Sequence, residues 1–327
     1  MLATPLPTRA DLFRLLGDED RLRLLALCAT EELTVGELAT LLGESQPQVS
    51  RKSQPLREAG LLNARRDGTR TLLRAEATVD PVVSAALEAG RGLCLDDGSL
   101  AQIPALLAQR EEASRQFFAR PDGSGGAAAA DSAAEGGWGQ AAPWAPFLPM
   151  LAPLLPGRAL AIDVGAGEGT LLPLLSPLFE RVIAIDRSAA RLARCAQKVA
   201  ELRLPNVRLR EGTVEEPALV EEIGRAGGAD LVVLARVLHH AARPQDLVAG
   251  AARLLRAGGH IALVDHVPHD DERLREQGHV WLGFEPGRLR AFVETAGLAV
   301  VHASRLGGDE IPALHLVVGQ KPARDIH

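Results

Sequence analysis

The sequence predicts two folded units in series, a mainly helical unit followed by an α/β unit built on a parallel sheet. Residues 161–170 end an apolar run in a glycine-rich turn, and later apolar runs alternate with helical stretches, as in a doubly wound sheet. Residues 34–60 instead contain two short helices joined by a tight turn. We therefore place a helical unit at 1–120, a linker at 121–142 and an α/β unit at 143–327.

The composition narrows the class of protein. The net charge of -6 is modest, and the three cysteines, Cys28, Cys94 and Cys195, are too far apart to form a ligand motif. The sequence contains no run of about 18 apolar residues that would span a membrane, so no membrane partner is expected. Few, unpaired cysteines are typical of the reducing cytoplasm, where we expect the chain. The Gly/Ala/Ser-rich stretch at 121–139 favours a flexible linker.

The helical unit contains two helices with clear start and stop signals. An amphipathic stretch at 34–43 ends in Gly43. Ser45 and Gln48 then form an S-x-x-Q capping box, and Pro47 lies in the first turn of the next helix, where no N–H is needed. This spacing predicts a helix-turn-helix.

A β-hairpin is predicted directly after the second helix. Strand candidates at 61–65 and 69–74 flank the dipeptide Asp67-Gly68, which favours a tight turn. Periodic apolar residues predict two further helices, at 81–87 and 103–118. The helix-turn-helix with its hairpin therefore has the organisation of a winged helix.

Basic residues are concentrated in this part of an otherwise acidic chain. Residues 45–74 hold seven Lys or Arg side chains and two acids, which favours contact with backbone phosphates. The segment SQPQVSRKSQPLREAGLL resembles the recognition helix of ArsR/SmtB-type winged-helix transcriptional regulators. The alternative is a helix-turn-helix used only for contacts with protein.

The resemblance implies a homodimer that binds a two-fold double-stranded DNA operator, with the flanking helices pairing the subunits. It implies major-groove contacts from one set of residues: Ser45, Gln46, Gln48, Ser50, Arg51 and Lys52. The hairpin arginines Arg65, Arg66 and Arg70 would contact the DNA backbone or minor groove. The family's soft-metal sensing does not carry over, because residues 32–38 lack the Cys-x-Cys motif.

The glycine-rich turn of the α/β unit predicts a nucleotide-cofactor site. Gly165, Gly167 and Gly169 permit a tight strand-to-helix turn and close approach of a ligand to the backbone. A second apolar strand ends at Asp186, whose carboxylate suits the two hydroxyls of a ribose. Asp163, just before the turn, would repel a pyrophosphate but suits an ammonium group. The alternative is an ordinary βα turn with spare glycines.

This D-x-G-x-G-x-G pattern resembles motif I of class I S-adenosylmethionine-dependent methyltransferases, which have a Rossmann-like fold. The resemblance continues through strand candidates at 159–164, 182–186, 207–211, 231–235 and 261–265, and through a closing hairpin at 299–304 and 315–319. Residues 253–260 match the family's turn before strand five. The implied cofactor is S-adenosylmethionine, with S-adenosylhomocysteine as its product.

The resemblance also implies which residues bind the cofactor. They are Asp163, Gly165, Ala166, Gly167, Gly169, Asp186, Arg187, Gly212, Thr213, Val214, Ala235 and Arg236. Many relatives carry an acid where this chain has Thr213. The tail of strand four, LARVLHH, is similar to that of small-molecule methyltransferases and lacks the N/D-P-P-Y/F motif of DNA amino-methylating enzymes. We therefore expect a small-molecule methyl acceptor, which the sequence does not identify.

Methyl transfer from a sulfonium requires an aligned nucleophile and, where that nucleophile carries a proton, a general base. Candidate groups follow strands four and five: His239, His240, Asp265, His266, His269 and His279. We predict His240 or His266 as the base. We expect His239, His279 and Trp281 to contact the acceptor, with Phe284 beside them.

Each of these assignments has an alternative. His239 or His240 would cap strand four, and Trp281 would serve in packing. A divalent metal held by His266, His269 and His279 is conceivable, but their spacing is not diagnostic and no metal site is predicted.

Two functions remain open at this point. In one, the chain is a DNA-binding regulator that also methylates a small molecule. In the other, a catalytically silent methyltransferase domain senses S-adenosylmethionine or S-adenosylhomocysteine and controls operator binding.

Overall fold

The computed structural model describes residues 8–76, 80–118, 145–306 and 313–323. Two compact units are present, Met1–Gln109 and Arg110–His327. The linker predicted at 121–142 lies outside the described residues.

The first unit combines helices with a small antiparallel sheet. Its helices are α1 (Arg9–Leu16), α2 (Glu19–Thr30), α3 (Val35–Leu42), α4 (Gln46–Glu58), α5 (Pro81–Asp96) and α6 (Ser99–Phe118). Its strands are β1 (Leu33–Thr34), β2 (Leu62–Asp67) and β3 (Arg70–Ala75), in the order β1-β3-β2.

Local capping explains where α3 and α4 begin and end. Thr34 and Glu37 form a reciprocal capping box, in which Glu37 N donates to Thr34 Oγ1 at 3.1 Å and Thr34 N donates to Glu37 Oε2 at 2.7 Å. Gly43 ends α3 in the left-handed conformation, with φ of +65°. Ser45 N donates to Gln48 Oε1 at 2.9 Å at the start of α4. The predicted helix-turn-helix is thus formed by α3 and α4.

Helix α4 buries one face and exposes the other. Val49, Ser53 and Leu56 are buried and lie three or four residues apart, so they share one side of the helix. The opposite face of α4 is exposed to solvent.

The hairpin turn differs by one residue from the prediction. Asp67 pairs with Arg70 in the β2–β3 register, so the turn residues are Gly68 and Thr69 rather than Asp67-Gly68. Gly68 takes a φ of +63°, whereas the Asp67 side chain is 3% exposed and stays in the strand. Burial of Asp67 explains the shift.

Helices α2 and α5 pack closely in the core of this unit. Gly90 of α5 faces Leu22 of α2, and a Cβ at position 90 would overlap the Leu22 carbonyl oxygen. The absence of a side chain at Gly90 therefore allows the short distance between helices α2 and α5.

The second unit is built on a seven-stranded sheet. Its strands are β4 (Ala161–Val164), β5 (Val182–Asp186), β6 (Val207–Glu211), β7 (Ala229–Ala235), β8 (Leu255–His266), β9 (Ala299–Leu306) and β10 (Leu314–Gln320). Its helices are α7 (Leu172–Leu175), α8 (Ala189–Glu201), α9 (Pro217–Arg225), α10 (Pro244–Leu254), α11 (Arg273–Glu276) and α12 (Pro286–Thr295). Short 3₁₀ helices lie at Ala145–Leu154 and Leu238–His240.

The strand order is β6-β5-β4-β7-β8-β10-β9. The neighbours from β6 to β8 are parallel, and β10 is antiparallel to both β8 and β9. The chain reverses its winding direction at β4, between β5 and β7. In open α/β sheets, ligands bind at the carboxyl ends of the strands beside such a point.

Strand β8 begins earlier than predicted. Ala229 pairs with Leu255 and Leu231 with His260, so the intervening residues of β8 form a wide bulge. The turn predicted before strand five is this bulge, in which Gly258 has a φ of +73°. Arg256 of the bulge donates from Nε to Asp230 Oδ1 at 2.6 Å.

Among the described helices, none combines the length and the apolar character that crossing a bilayer requires.

Candidate functional sites

The glycine-rich turn after β4 is closed by backbone hydrogen bonds. Gly165 N and Ala166 N both donate to Ile185 O, at 2.8 and 3.0 Å. Gly165 has a φ of +69°, and a Cβ there would overlap the side chain of Val237. Only glycine therefore allows this turn to approach the segment that follows β7.

Asp186, at the end of β5, is held rigidly. Its Oδ2 accepts a hydrogen bond from Gly167 N at 2.7 Å, and its Oδ1 accepts one from Ser188 N at 2.8 Å. A carboxylate has about four lone-pair sites, so both oxygens retain capacity for further donors. The arrangement fits an acid that binds two neighbouring hydroxyls.

Asp163 is a buried carboxyl within the same strand end. It is 3% exposed, and no hydrogen bond to its carboxylate is found among the described residues. Burial, with the nearby negative charge of Asp186, raises the pKa of Asp163 to about 7. A cation placed beside Asp163 would favour its ionised form, so the site suits an ammonium group.

We expect Asp163→Asn to change how stability depends on pH. The wild-type pKa is about 7 in the folded state, so the folded protein binds more protons than the unfolded one above about pH 4, and its stability falls as the pH rises towards about 7. Asparagine does not ionise, so the variant should gain roughly 4 kcal/mol relative to wild type between about pH 4 and pH 8. Urea unfolding at each pH measures this, and a constant difference would contradict a protonated Asp163.

An acidic side chain lies beside Thr213, although the residue at position 213 is not itself an acid. Thr213 N donates to Glu216 Oε1 at 2.9 Å, and Arg210 lies 3.4 Å from Glu216 Oε2. A Cβ at Gly212 would overlap the Glu216 carboxylate. Glu216 was not predicted from the sequence, because the acid of the family directly follows the glycine, whereas Glu216 lies four positions after Gly212.

The structure brings the predicted cofactor residues to one edge of the sheet. They lie at or after the carboxyl ends of four neighbouring parallel strands, β4 to β7. Ala166 and the Val214 side chain are buried, Ala235 is half-buried, and the Arg187 side chain is exposed. Arg236 takes a φ of +58°, unusual for a residue with a side chain, and its N donates to Val264 O at 2.7 Å.

Five histidines gather beside this edge. His239 and His240 come from the 3₁₀ turn after β7, and His266 ends β8; His269 and His279 follow it. The His239 ring centroid lies 4.1 Å from those of His240 and His279, and 4.9 Å from that of His266. The predicted base and acceptor histidines therefore form one cluster.

Asp265 organises the centre of the cluster. Its fully buried carboxylate lies 2.7 Å from His239 Nδ1 and accepts hydrogen bonds from Leu238 N at 2.9 Å and His266 N at 2.8 Å. The sequence placed Asp265 among the candidates but gave it no role. The structure makes it the acceptor that positions His239.

Burial keeps the imidazoles of His239, His240, His266 and His279 neutral at pH 7. It lowers the pKa of His239 and His240 well below the usual range, that of His266 to about 4 and that of His279 to about 2. Burial also raises the pKa of Asp265. A neutral imidazole can accept a proton, so His240 and His266 stay predicted bases, but their depressed pKa values make them weak ones.

Trp281 requires a correction. It is 3% exposed, and its indole Nε1 donates to Ala241 O at 2.7 Å, while its backbone N donates to His239 O at 3.1 Å. Phe284 is fully buried. Trp281 therefore holds the 3₁₀ turn through these two hydrogen bonds, and its side chain is too buried to line an open acceptor site.

The first unit presents the predicted DNA-contacting face on α4. The exposed residues there are Ser45, Gln46, Gln48, Ser50 and Arg51. On the hairpin, Arg66 and Arg70 are exposed. This face has the polar and basic character that DNA contact requires.

Two of the predicted DNA contacts are corrected by the structure. Lys52 Nζ lies 2.7 Å from Asp20 Oδ2 and 2.6 Å from Glu44 Oε1. Arg65 pairs with the buried Glu32 through two hydrogen bonds, of 2.9 and 3.2 Å. Both cations are already paired within the unit, so contact with a phosphate would require these ion pairs to open.

The fold and sites define a winged helix-turn-helix followed by an α/β unit of the class I methyltransferase kind. Comparison with known families agrees: residues 18–64 match the arsR family of bacterial regulatory proteins, and residues 162–261 match a methyltransferase domain. The chain therefore carries an ArsR-family regulator domain and a methyltransferase domain.

Three curated relatives illustrate the two parts. An uncharacterized methyltransferase, YcgJ of Bacillus subtilis (strain 168), is 26% identical over 158 residues, which cover 48% of this chain and 60% of that protein. A phosphatidylethanolamine N-methyltransferase of Cereibacter sphaeroides is 35% identical over 115 residues, covering 35% and 53%. The arsenical resistance operon repressor of Escherichia coli (strain K12) is 48% identical over 58 residues, covering 17% and 50%.

These matches are partial on both sides. The chain spans 60%, 53% and 50% of the length of these three relatives.

Proposed function

We propose that the chain is a DNA-binding transcriptional regulator that transfers a methyl group from S-adenosylmethionine to a small molecule. The observation that carries the proposal is the glycine turn fixed against Asp186, with the Gly167 N–H bonded to that carboxylate. The family matches to both parts of the chain support it.

The residues at the site fit the cofactor. Asp186 would bind the ribose hydroxyls, and the buried Asp163, which lacks a hydrogen-bond partner among the described residues, would face the ammonium group. Glu216, next to Thr213, would lie on the adenine side. When bound, the cofactor supplies an activated sulfonium methyl group.

The chain's own contribution is alignment and exclusion of water. The histidine cluster follows the carboxyl ends of β7 and β8, beside the glycine turn that Val237 contacts. Asp265 holds His239 in one orientation. An acceptor with a proton to lose would pass it to a neutral imidazole of this cluster, with His240 or His266 as the proposed base.

We propose that the first unit binds double-stranded DNA as a homodimer. Large apolar side chains are exposed on α1 and α5, with Phe13 63% and Leu95 68% exposed, and a second copy would cover them. A dimer presents two copies of α4 to a two-fold operator.

We expect Arg51→Ala to weaken DNA binding through loss of one cationic groove contact per subunit, which is two per homodimer. The slope of log K against log salt should fall by up to about two. Fluorescence anisotropy with a labelled duplex at several salt concentrations measures it. Arg65→Ala is the control: it removes the Glu32–Arg65 ion pair and should lower the stability of the unit but keep the slope. Equal slopes for Arg51→Ala and wild type would show that Arg51 does not contact the DNA.

A second function is favoured by one observation. The predicted base His266 is 4% exposed and both of its ring nitrogens are buried, so an acceptor has little access to it, which suits a domain that binds the cofactor without turning it over. In this alternative, S-adenosylmethionine or S-adenosylhomocysteine shifts operator affinity through differential binding worth about 1–3 kcal/mol.

One experiment tests both functions. S-adenosylmethionine and S-adenosylhomocysteine are titrated calorimetrically into the full chain, and duplex binding is then measured with and without each ligand. Binding of either ligand with a change in DNA affinity supports the sensor. Binding without that change supports the enzyme. Absence of binding would exclude the cofactor on which both rest.

A further inference from the structure

Two groups of side chains with metal-ligating atoms occur within the described ranges, and both contain His239. One group is His239, His240 and His279; the other is His239, Asp265 and His266. In each group the donor atoms lie within 4.8 Å of one another. Three of these histidines are almost fully buried: His239 at 1%, His266 at 4% and His279 at 8% exposed.

Several ring nitrogens in this cluster have unmet hydrogen-bonding capacity. His279 Nδ1 and both ring nitrogens of His266 are buried and have no hydrogen-bond partner in the described part of the chain. A buried polar atom left unpaired costs about 1–3 kcal/mol. A metal ion bound through His279 Nδ1 would give that nitrogen a partner, whereas the two His266 nitrogens belong to the second group of donors.

The orientation of the rings matches that of metal-binding histidines. A metal-ligating histidine usually donates its other ring N–H to a carboxylate or a backbone carbonyl, which fixes its tautomer. His239 Nδ1 lies 2.7 Å from the Asp265 carboxylate, and His240 Nδ1 lies 2.9 Å from Gly278 O. For His239 this leaves Nε2 as the ligand nitrogen.

We propose that His239, His240 and His279 bind one divalent transition-metal ion of the zinc type. Neutral imidazoles suit zinc, nickel and cobalt, and three histidines with an open fourth position form a common zinc arrangement. Zn–N bonds of about 2.0–2.1 Å place tetrahedral donors about 3.4 Å apart. The ligand nitrogens lie within 4.8 Å of one another, so any two of them must move closer by at most about 1.5 Å. Asp265, which already has three donors, positions His239 and is not a ligand.

This site differs from the expectation drawn from the sequence. That expectation considered only His266, His269 and His279, all after strand five, and their spacing was not diagnostic. The fold adds His239 and His240, which lie in the 3₁₀ turn after β7 and contact His279. His240 and His279 are 39 positions apart in the sequence. The inference does not rest on methyl transfer, and with His240 bound to a metal ion through its remaining ring nitrogen, His266 stays the proposed base.

The test is metal binding by the full, tag-free chain. Chelator-treated protein is titrated with Co²⁺, whose visible absorption reports four-coordinate geometry, and bound Zn²⁺ is counted by equilibrium dialysis. We expect one ion per chain. His239→Ala and His279→Ala should each weaken binding at least 100-fold, and Asp265→Asn should weaken it 10- to 100-fold by releasing His239.

The controls separate a site from general histidine binding and from misfolding. His302→Ala, on the exposed strand β9, should bind as wild type does. Far-UV circular dichroism and the unfolding midpoint identify any variant that fails to fold, and His279→Gln offers a milder replacement. Loss of metal in His266→Ala but not in His279→Ala would overturn this ligand set in favour of the other group. Absence of stoichiometric binding, or equal binding by all variants, would overturn the site altogether.

Failure of this test and failure of the proposed function are distinguishable. The cofactor titration measures the glycine turn and Asp186, whereas the metal titration measures the histidine cluster. A chain that binds S-adenosylhomocysteine but no metal keeps the proposed function and loses only the metal site.

Discussion

Replacing Asp186 with alanine should reduce affinity for S-adenosylmethionine and S-adenosylhomocysteine at least 100-fold. The carboxylate would form two hydrogen bonds to the ribose, and hydrogen bonds to a charged group contribute about 1.5–3 kcal/mol each. The variant also loses the acceptor for Gly167 N and Ser188 N, so the glycine turn itself is loosened. Both effects act in the same direction, which makes this the largest effect on ligand binding that we expect.

Calorimetric titration of each ligand into variant and wild type measures the change. Asp246→Ala is the matched control, because that acid is exposed and forms a long ion pair of 3.6 Å with Arg243. Asp186→Asn keeps one acceptor oxygen and should lie between wild type and alanine. Unchanged affinity in Asp186→Ala, with the fold intact by circular dichroism, would show that the cofactor is bound elsewhere or is a different molecule.

Replacing Gly90 with alanine should destabilise the first unit by about 3 kcal/mol or more. The added Cβ would overlap the Leu22 carbonyl oxygen, which is backbone and cannot rotate away. Overpacking of a core costs about 1–3 kcal/mol, and here helices α2 and α5 would have to separate along their contact. Because α2 packs against α4, weaker DNA binding should follow at temperatures near the midpoint.

Gly92→Ala is a matched control on the same helix. A Cβ at position 92 meets no atom within 4 Å, so this variant should gain about 0.5–1 kcal/mol from helix propensity alone. Hydrogen exchange of the α2 and α5 amides in the full chain separates this unit from the other. Similar protection in Gly90→Ala and Gly92→Ala would contradict the close helix contact.

The elements that local chemistry determines could be predicted from the sequence. Start and stop signals at Ser45 and Gly43 gave α3 and α4, and apolar runs that end in Gly165 or Asp186 gave the parallel strands. These features depend on a few neighbouring residues, so a single sequence carries them. The wide bulge in β8 could not be predicted, since it depends on how Leu231 and His260 pair across two strands.

The candidate sites show the same division. The cofactor edge followed from strand ends, but the Asp20–Lys52 and Glu32–Arg65 ion pairs join residues 32 and 33 positions apart. A cluster of basic residues in the sequence does not show which of them form ion pairs with acids elsewhere in the same unit. The role of Asp265 was likewise hidden, because the buried environment that turns its carboxylate towards His239 exists only after β7 and β8 are paired.

The contact between Gly165 and Val237 limits how this protein can diverge. Val237 fills the space that a side chain at position 165 would need, and it directly precedes the turn that carries two of the clustered histidines. A lineage or a laboratory library that exchanges the histidine-bearing segment for one with another specificity must therefore keep a side chain of similar size at position 237. Position 165 is closed to variation, so new specificities should arise in the segment that follows position 237 rather than in the glycine turn.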